Sequence, residues 1–197
     1  MTPEQKQSIQ EVVDLFDLAE RKVKEVEQLS QELSVPSINE LRYVGYHLAR
    51  AFCADDTAEL SRQISKGKGH CQRAIYDAHE VGIIYLLERI RAFKERYPKR
   101  SHLIAEAIDD YIDKLEIADQ AAKLIANVNE GPADSRGSYY ENCEEPYKSL
   151  KEVVAIFERT APLIDEKIEE KESENRTQTR RFIVFVLLSL LGLVIAY

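Results

Sequence analysis

Apolar residues recur along this chain at intervals of three and four positions, a pattern that is typical of amphipathic helices. Thr2 and Gln5 predict the start of the first helix, because side chains at this spacing can cap each other's free backbone N–H groups. Ser37 and Glu40 have the same spacing and predict a second helix that runs to about Phe52. The buried stripe of the first helix is expected to consist of Ile9, Val12, Val13, Phe16, Ala19, Val23, Val26 and Leu33.

Further helical segments follow these two. A short helix is expected in "CADDTAEL", and "KGKG" should end it, since glycine is a poor helix former and a common C-cap. Long helices are predicted over residues 70–97 and 101–125, with Pro98 between them. From Pro146 a last helix should continue through a charged stretch into an apolar tail, because nothing in that stretch stops a helix.

The predicted fold class is all-α, an antiparallel bundle of about five to six helices with a C-terminal transmembrane helix. Residues 1–145 should form a cytoplasmic helical bundle, and residues 146–181 a long helix that packs on the bundle and leads to the membrane. Residues 182–197 should form the transmembrane helix. The one predicted loop is "NVNEGPADSRGSYYENCEEP".

The tail from Phe182 to Tyr197 contains sixteen residues and no charge. As a helix it would be roughly 24 Å long, against about 30 Å of hydrocarbon in a bilayer. Arg180 and Arg181 could reach the headgroups, and the cations that precede the tail predict that it spans the inner membrane with the body in the cytoplasm. The alternative is a buried C-terminal helix, which the absence of a polar face disfavours.

Small residues share one face of the predicted transmembrane helix, namely Ser189, Gly192 and Ala196. Small residues let membrane helices approach closely. We therefore expect the tails of several copies to pack together, so that the lipid bilayer and other copies of the chain are both partners.

Positive charge is concentrated in the middle of an acidic chain. Residues 42–100 contain twelve Lys and Arg against seven Asp and Glu, although the whole chain has a formal net charge of -8. Such segregation can attract an anionic ligand. Cys53, Cys71 and Cys143 show no CxxC spacing, so the sequence predicts neither a zinc site nor a disulfide framework, and no cofactor.

The segment "SKGKGHCQRAIY" is the candidate ligand site. A glycine-flanked turn before a helix start would point backbone N–H groups at an anion such as a phosphate. The residues expected to bind it are Lys66, Lys68, His70, Arg73 and Tyr76, the last as a stacking surface. The alternative is a solvated turn whose lysines neutralise an acidic neighbour.

The segment "RYVGYH" places four residues between Arg42 and His47 and resembles the RxxxxH motif of HEPN ribonucleases. The resemblance implies that these residues from two protomers meet and assist attack by a ribose 2′-hydroxyl. Arg73 and His79 form a looser second copy. Tyr43 departs from the polar residue that this family places after the arginine. The alternative is an Arg42 paired with an acid and a His47 satisfied in the interior.

The whole-chain layout resembles small membrane effectors of bacterial antiviral defence, above all the Hailong-type membrane effector. This resemblance implies an oligomeric channel that responds to an oligonucleotide made by a partner nucleotidyltransferase. CRISPR accessory membrane proteins with a HEPN-like body show a similar layout. The leading hypothesis is a membrane effector without catalytic activity. The alternatives are a tail-anchored HEPN-like ribonuclease and a tail-anchored adaptor.

Overall fold

The computed structural model describes residues 2–128 and 142–195, which form an all-α bundle of six helices. In chain order these are α1 (Pro3–Ser30), α2 (Val35–Phe52), α3 (Thr57–Arg96), α4 (Ser101–Ala107), α5 (Tyr111–Val128) and α6 (Glu144–Ile195). The predicted loop lies mostly in residues 129–141, outside the described residues.

Helices α1 and α3 run parallel, and α2 runs antiparallel to α3. Val12 of α1 lies against Gly67 of α3, and Val26 lies against Gly82, so the residue numbers rise together along both helices. Between α2 and α3 the numbers run in opposite directions, because Glu40 contacts His70 whereas the later residue His47 contacts the earlier residue Gln63.

Helix α6 is parallel to α3 in a constant register. Arg89 pairs with Glu158 and Arg96 with Asp165, so each contact joins residues that are 69 positions apart. Beyond the end of α3, Arg100 pairs with Glu172, two turns further along α6. These half-exposed pairs lie along the edge of a core in which Phe93 and Phe157 stack with their ring centroids 4.4 Å apart.

The first helix begins as predicted, whereas the second begins earlier. Thr2 accepts from the backbone N–H of Gln5, whose side chain accepts from the backbone N–H of Thr2. The capping box predicted at Ser37 is wrong, because α2 already starts at Val35. The Ser37 hydroxyl is buried and bonds to the Ser34 hydroxyl at 2.6 Å.

The helix end predicted at "KGKG" is wrong, because α3 continues through these residues for a total of 40 residues. Gly67 is buried where α1, α2 and α3 meet. A Cβ at this position would lie 3.7 Å from Val12 Cγ1 and 3.9 Å from Val44 Cγ1. Packing against two neighbouring helices thus outweighs the cost of about 1 kcal/mol that each glycine imposes on a helix.

The long helix predicted over residues 101–125 is in fact two helices. Ile108 is extended and buried, and Asp110 has a left-handed backbone with φ of 54°. This break turns the chain so that Ile104 before it and Tyr111 after it both face the core. A periodic apolar pattern that is preserved across such a turn does not reveal it.

Within residues 2–128 and 142–195, no helix is long and apolar enough to cross a membrane. The prediction of a transmembrane helix over residues 182–197 is therefore wrong for the part of the chain that the structure describes. The apolar part of α6 starts at Phe182 and its described part ends at Ile195, which corresponds to roughly 21 Å of helix.

The C-terminal half of α6 extends beyond the other helices. From residue 173 to residue 186 its side chains are exposed, and so is Leu188. The exposed apolar side chains on this part are Phe182, Ile183, Val184, Phe185, Val186 and Leu188, which we call the apolar end of α6.

Candidate functional site

The main polar cluster of the bundle lies where α2 faces the first half of α3. It consists of Glu40 and His47 from α2 and of Gln63, His70 and Arg73 from α3, and we call it the histidine cluster. Antiparallel packing brings these residues together, because 40 and 47 are two turns apart on α2 and 63 and 70 are two turns apart on α3.

Glu40 is the acidic centre of the cluster. Its Oε2 lies 2.6 Å from Nδ1 of His70 and 2.8 Å from Nε of Arg73. The Arg73 guanidinium also lies 2.6 Å from the same Nδ1 atom. This nitrogen can donate to Glu40 only when it carries a proton, and it can accept from Arg73 only when it does not. The two contacts therefore require different hydrogen-bonding states of the ring, such as its two neutral tautomers.

His47 lies deeper and has its own partner. Its Nδ1 is 2.6 Å from Oε1 of Gln63, and the Gln63 amide donates to Glu59 at 2.7 Å. The His47 ring stacks on the His70 ring with centroids 5.0 Å apart, and Tyr43 stacks on the other face of His70 at 5.2 Å. The result is a stack of three rings that leads from the buried His47 to the exposed Tyr43.

Asp77 lies one turn beyond Arg73 and has an unusual protonation equilibrium. Burial raises its pKa to about 6, and the nearby carboxylates of Glu40 and Glu80 contribute in the same direction, while Arg73 opposes them. Asp77 is thus a carboxyl group beside the histidine cluster that exchanges its proton near pH 6.

The structure separates the residues of the predicted ligand site. Lys66 is exposed, Lys68 pairs with Glu11, and Tyr76 is buried. His70 and Arg73 both bind Glu40. Because α3 is continuous here, its backbone N–H groups bond within the helix and cannot bind an anion. The turn on which the site was based does not exist, whereas anion binding by the side chains stays a prediction.

The RxxxxH residues do not meet within one chain. Arg42 is exposed, with its guanidinium carbon 5.2 Å from the ring centroid of Tyr43. His47 is buried and hydrogen-bonded to Gln63. This agrees with the alternative to the ribonuclease motif, a histidine satisfied in the interior. Of the looser copy, Arg73 binds Glu40, and His79 lies in a different core. Nuclease chemistry would need a second chain to supply the partner of each residue.

His79, the histidine of the looser RxxxxH copy, is a buried titratable group of the core. Its ring is 1% exposed and stacks on Tyr147 with centroids 5.2 Å apart. Neither ring nitrogen has a hydrogen-bond partner among the described residues. Burial is the main cause that lowers the pKa of His79, and the Lys22 cation adds to it. The neutral imidazole is therefore the form that fits this core.

Glu40 and Gln63 were missed because their partners are distant in sequence. One signal was present: Gln63 falls on the inner stripe of α3 with Gly67 and Cys71, and a polar residue at such a position needs a buried partner. Nothing in the sequence indicated that His47 is that partner.

The small-residue face of Ser189, Gly192 and Ala196 lies outside the side chains that the structure describes. Among the described residues, no group of three or more His, Cys, Asp and Glu could bind a metal ion.

Comparison of the chain with protein-family models, curated proteins and solved structures finds no match.

Proposed function

We propose that this protein is a membrane-attached effector, whose helical bundle stays in water while the apolar end of α6 inserts into a lipid bilayer. The observation that carries the proposal is the exposure of this end. Phe182 is 67% exposed, and Leu188, six residues later, is 64% exposed. Burial of one such side chain contributes about 1.5–3 kcal/mol, so six of them give a strong drive to leave water.

Lipid is a better occupant for this surface than a protein partner. Successive residues of a helix are rotated by about 100°, so the run from Phe182 to Val186 is apolar on every side. A partner helix would cover only one stripe of it, whereas hydrocarbon surrounds the whole circumference. Arg180 and Arg181 directly precede the run, where their guanidinium groups would contact the headgroups.

The resemblance to Hailong-type effectors extends this proposal to its biological setting. The protein would act in bacterial antiphage defence at the inner membrane, as an oligomer that a nucleotide or oligonucleotide signal controls. In this proposal the anion competes with Glu11 and Glu40 for Lys68, His70 and Arg73. A ligand that prefers one assembly by a few kcal/mol suffices to reverse its population.

Flotation of the full chain with phosphatidylcholine vesicles tests the insertion. We expect the wild type to float and Leu188→Asp to lose about 100-fold in partitioning, because an aspartate inside the hydrocarbon costs about 2.5–3.5 kcal/mol. Leu33→Asp is the matched control, since Leu33 is 74% exposed on the bundle, and this variant should float like the wild type. A wild-type protein that stays in the aqueous fraction as an oligomer without detergent would show that other copies cover the apolar end.

A further inference from the structure

We infer that the end of the bundle nearest the apolar end of α6 is a docking surface for anionic lipid headgroups. The inference rests on the proposed membrane attachment. Residues 91–102 contain five Lys and Arg and a single acid, Glu95, in a chain whose net charge is -8. We call this surface the basic end, and it consists of Arg91, Lys94, Arg96, Lys99, Arg100 and His102.

The register between α3 and α6 fixes where the basic end lies. Arg96 pairs with Asp165 and Arg100 with Glu172, and the side chains of α6 are exposed from the next residue onward. The basic end therefore lies at the level where α6 leaves the bundle, which is the end of the bundle from which the apolar end extends.

The distance from the basic end to a membrane is short on the electrostatic scale. From Glu172 to Phe182 there are ten residues, or about 15 Å of helix. A headgroup layer occupies roughly 5–8 Å on each side of the hydrocarbon, so about 10 Å of water separates it from Arg100. This is close to the Debye length of about 8 Å at physiological ionic strength, and any tilt of α6 shortens the distance.

Three cations of the basic end are available for headgroups. Arg91, Lys94 and Lys99 are exposed, and none forms an ion pair with the residues that the structure describes. Lys99 follows Pro98 with a left-handed φ of 62°, at the tip of the turn between α3 and α4.

Acidic residues of α6 also face this region and must be counted. Asp165 and Glu172 are paired with arginines, and Glu166, Glu169 and Glu170 are exposed beside the basic end. Nearer the membrane the balance is positive, since residues 173–181 contain Glu174 against Arg176, Arg180 and Arg181.

The spread of the cations favours a lipid surface over a single soluble anion. Arg91 and Lys99 are eight residues apart, which is about 12 Å along α3 and its turn. Because α3 runs parallel to α6, this spread follows the axis of α6, and a headgroup surface contacts these cations together when α6 is tilted and the bundle lies against the surface. Each Lys or Arg near an anionic surface contributes about 1 kcal/mol, so three of them should strengthen binding about 100-fold.

Vesicle flotation at two lipid compositions tests this surface. The full chain should bind vesicles of phosphatidylcholine with 30% phosphatidylglycerol more tightly than phosphatidylcholine alone, by about 100-fold at low salt, and 1 M salt should remove the difference. Lys94→Gln with Lys99→Gln should lose at least tenfold on the anionic vesicles only. The matched control is Lys6→Gln with Arg50→Gln, two exposed cations at the opposite end of the bundle, which should bind like the wild type.

The outcomes separate this inference from the proposed function. If the wild type floats equally on both vesicles, the basic end is not a lipid surface although insertion stands. If the control variant loses as much as the test variant, net charge and not this surface causes the preference. A wild type that floats on neither composition overturns the membrane attachment itself.

Discussion

Tyr147 of α6 packs so closely on Gly82 of α3 that a Cβ at the glycine would lie 2.5 Å from Cε2 of the tyrosine. Val26 of α1 approaches the same point to 3.2 Å. The glycine is thus the position at which three helices meet. Tyr147 has little room to move, because it is 1% exposed and stacks on His79.

Gly82→Ala should therefore destabilise the bundle by about 1–3 kcal/mol through overpacking, although alanine is the better helix former. Gly45→Ala is the control, because a Cβ at Gly45 meets no atom within 4 Å, and it should stabilise the protein by up to about 1 kcal/mol. Urea unfolding followed by circular dichroism measures both changes. Equal stability of the two variants would contradict the close packing.

His79 should make the stability depend on pH. Because burial lowers its pKa in the folded state, the unfolded chain binds more protons, and the free energy of unfolding should fall as the pH drops below about 6.5. His79→Leu should flatten this dependence, whereas His102→Leu, at an exposed histidine, should not. Thermal unfolding between pH 8 and pH 6 measures the slope.

Asp77 has the opposite effect and limits the range of that measurement. Its pKa is raised to about 6 in the folded state, so protonation of this carboxyl stabilises the fold as the pH falls from about 7 to about 4. Asp77→Asn removes this contribution. The free energy of unfolding should then depend less on pH in the double variant Asp77→Asn with His79→Leu than in Asp77→Asn alone. Equal slopes in these two variants would show that His79 does not titrate.

Glu40→Gln distinguishes an ion-pair network from a ligand site. The loss of a charged partner of His70 and Arg73 should cost about 1–2 kcal/mol of stability, since these groups are only partly exposed. If the predicted site binds nucleotides, the same variant should bind a labelled oligonucleotide more tightly at low salt. Lys66→Glu with Lys68→Glu should bind it more weakly. An oligonucleotide that binds neither variant nor the wild type refutes the site.

Only one of the three thiols should react in the native protein. Cys53 is exposed, Cys71 and Cys143 are buried, and burial raises the pKa of the Cys71 thiol to about 11. A maleimide at pH 7.5 should label one thiol per chain, and Cys53→Ser should abolish that labelling. Rapid labelling of a second thiol would indicate that the core opens.

The sequence predicted the fold class and the cap at Thr2, because helical periodicity and capping are local properties. It misplaced the boundaries at "KGKG" and at residues 108–110 for one reason: in both places tertiary packing decides. Gly67 is buried against Val12 and Val44 of the neighbouring helices, and the left-handed Asp110 redirects a pattern that stays periodic.

The candidate site was predicted less well than the fold. The cations at Lys68, His70 and Arg73 could be read from the chain, but their acidic partners could not. Glu11 is 57 residues from Lys68, and Glu40 is 30 residues from His70. The pairings depend on the parallel and antiparallel directions of the helices, which a single sequence does not specify.

The parallel course of α3 and α6 has a mechanical consequence. The arginine-carboxylate pairs at Glu158, Asp165 and Glu172 follow one another along the axis of α6, and each pair joins α6 to the segment beside it. A force that pulls the end of α6 along this axis loads these contacts in shear, so that they resist together and do not open one after another. Traction on the end of α6 is therefore shared among the three ion pairs that join it to α3 and to the turn that follows α3.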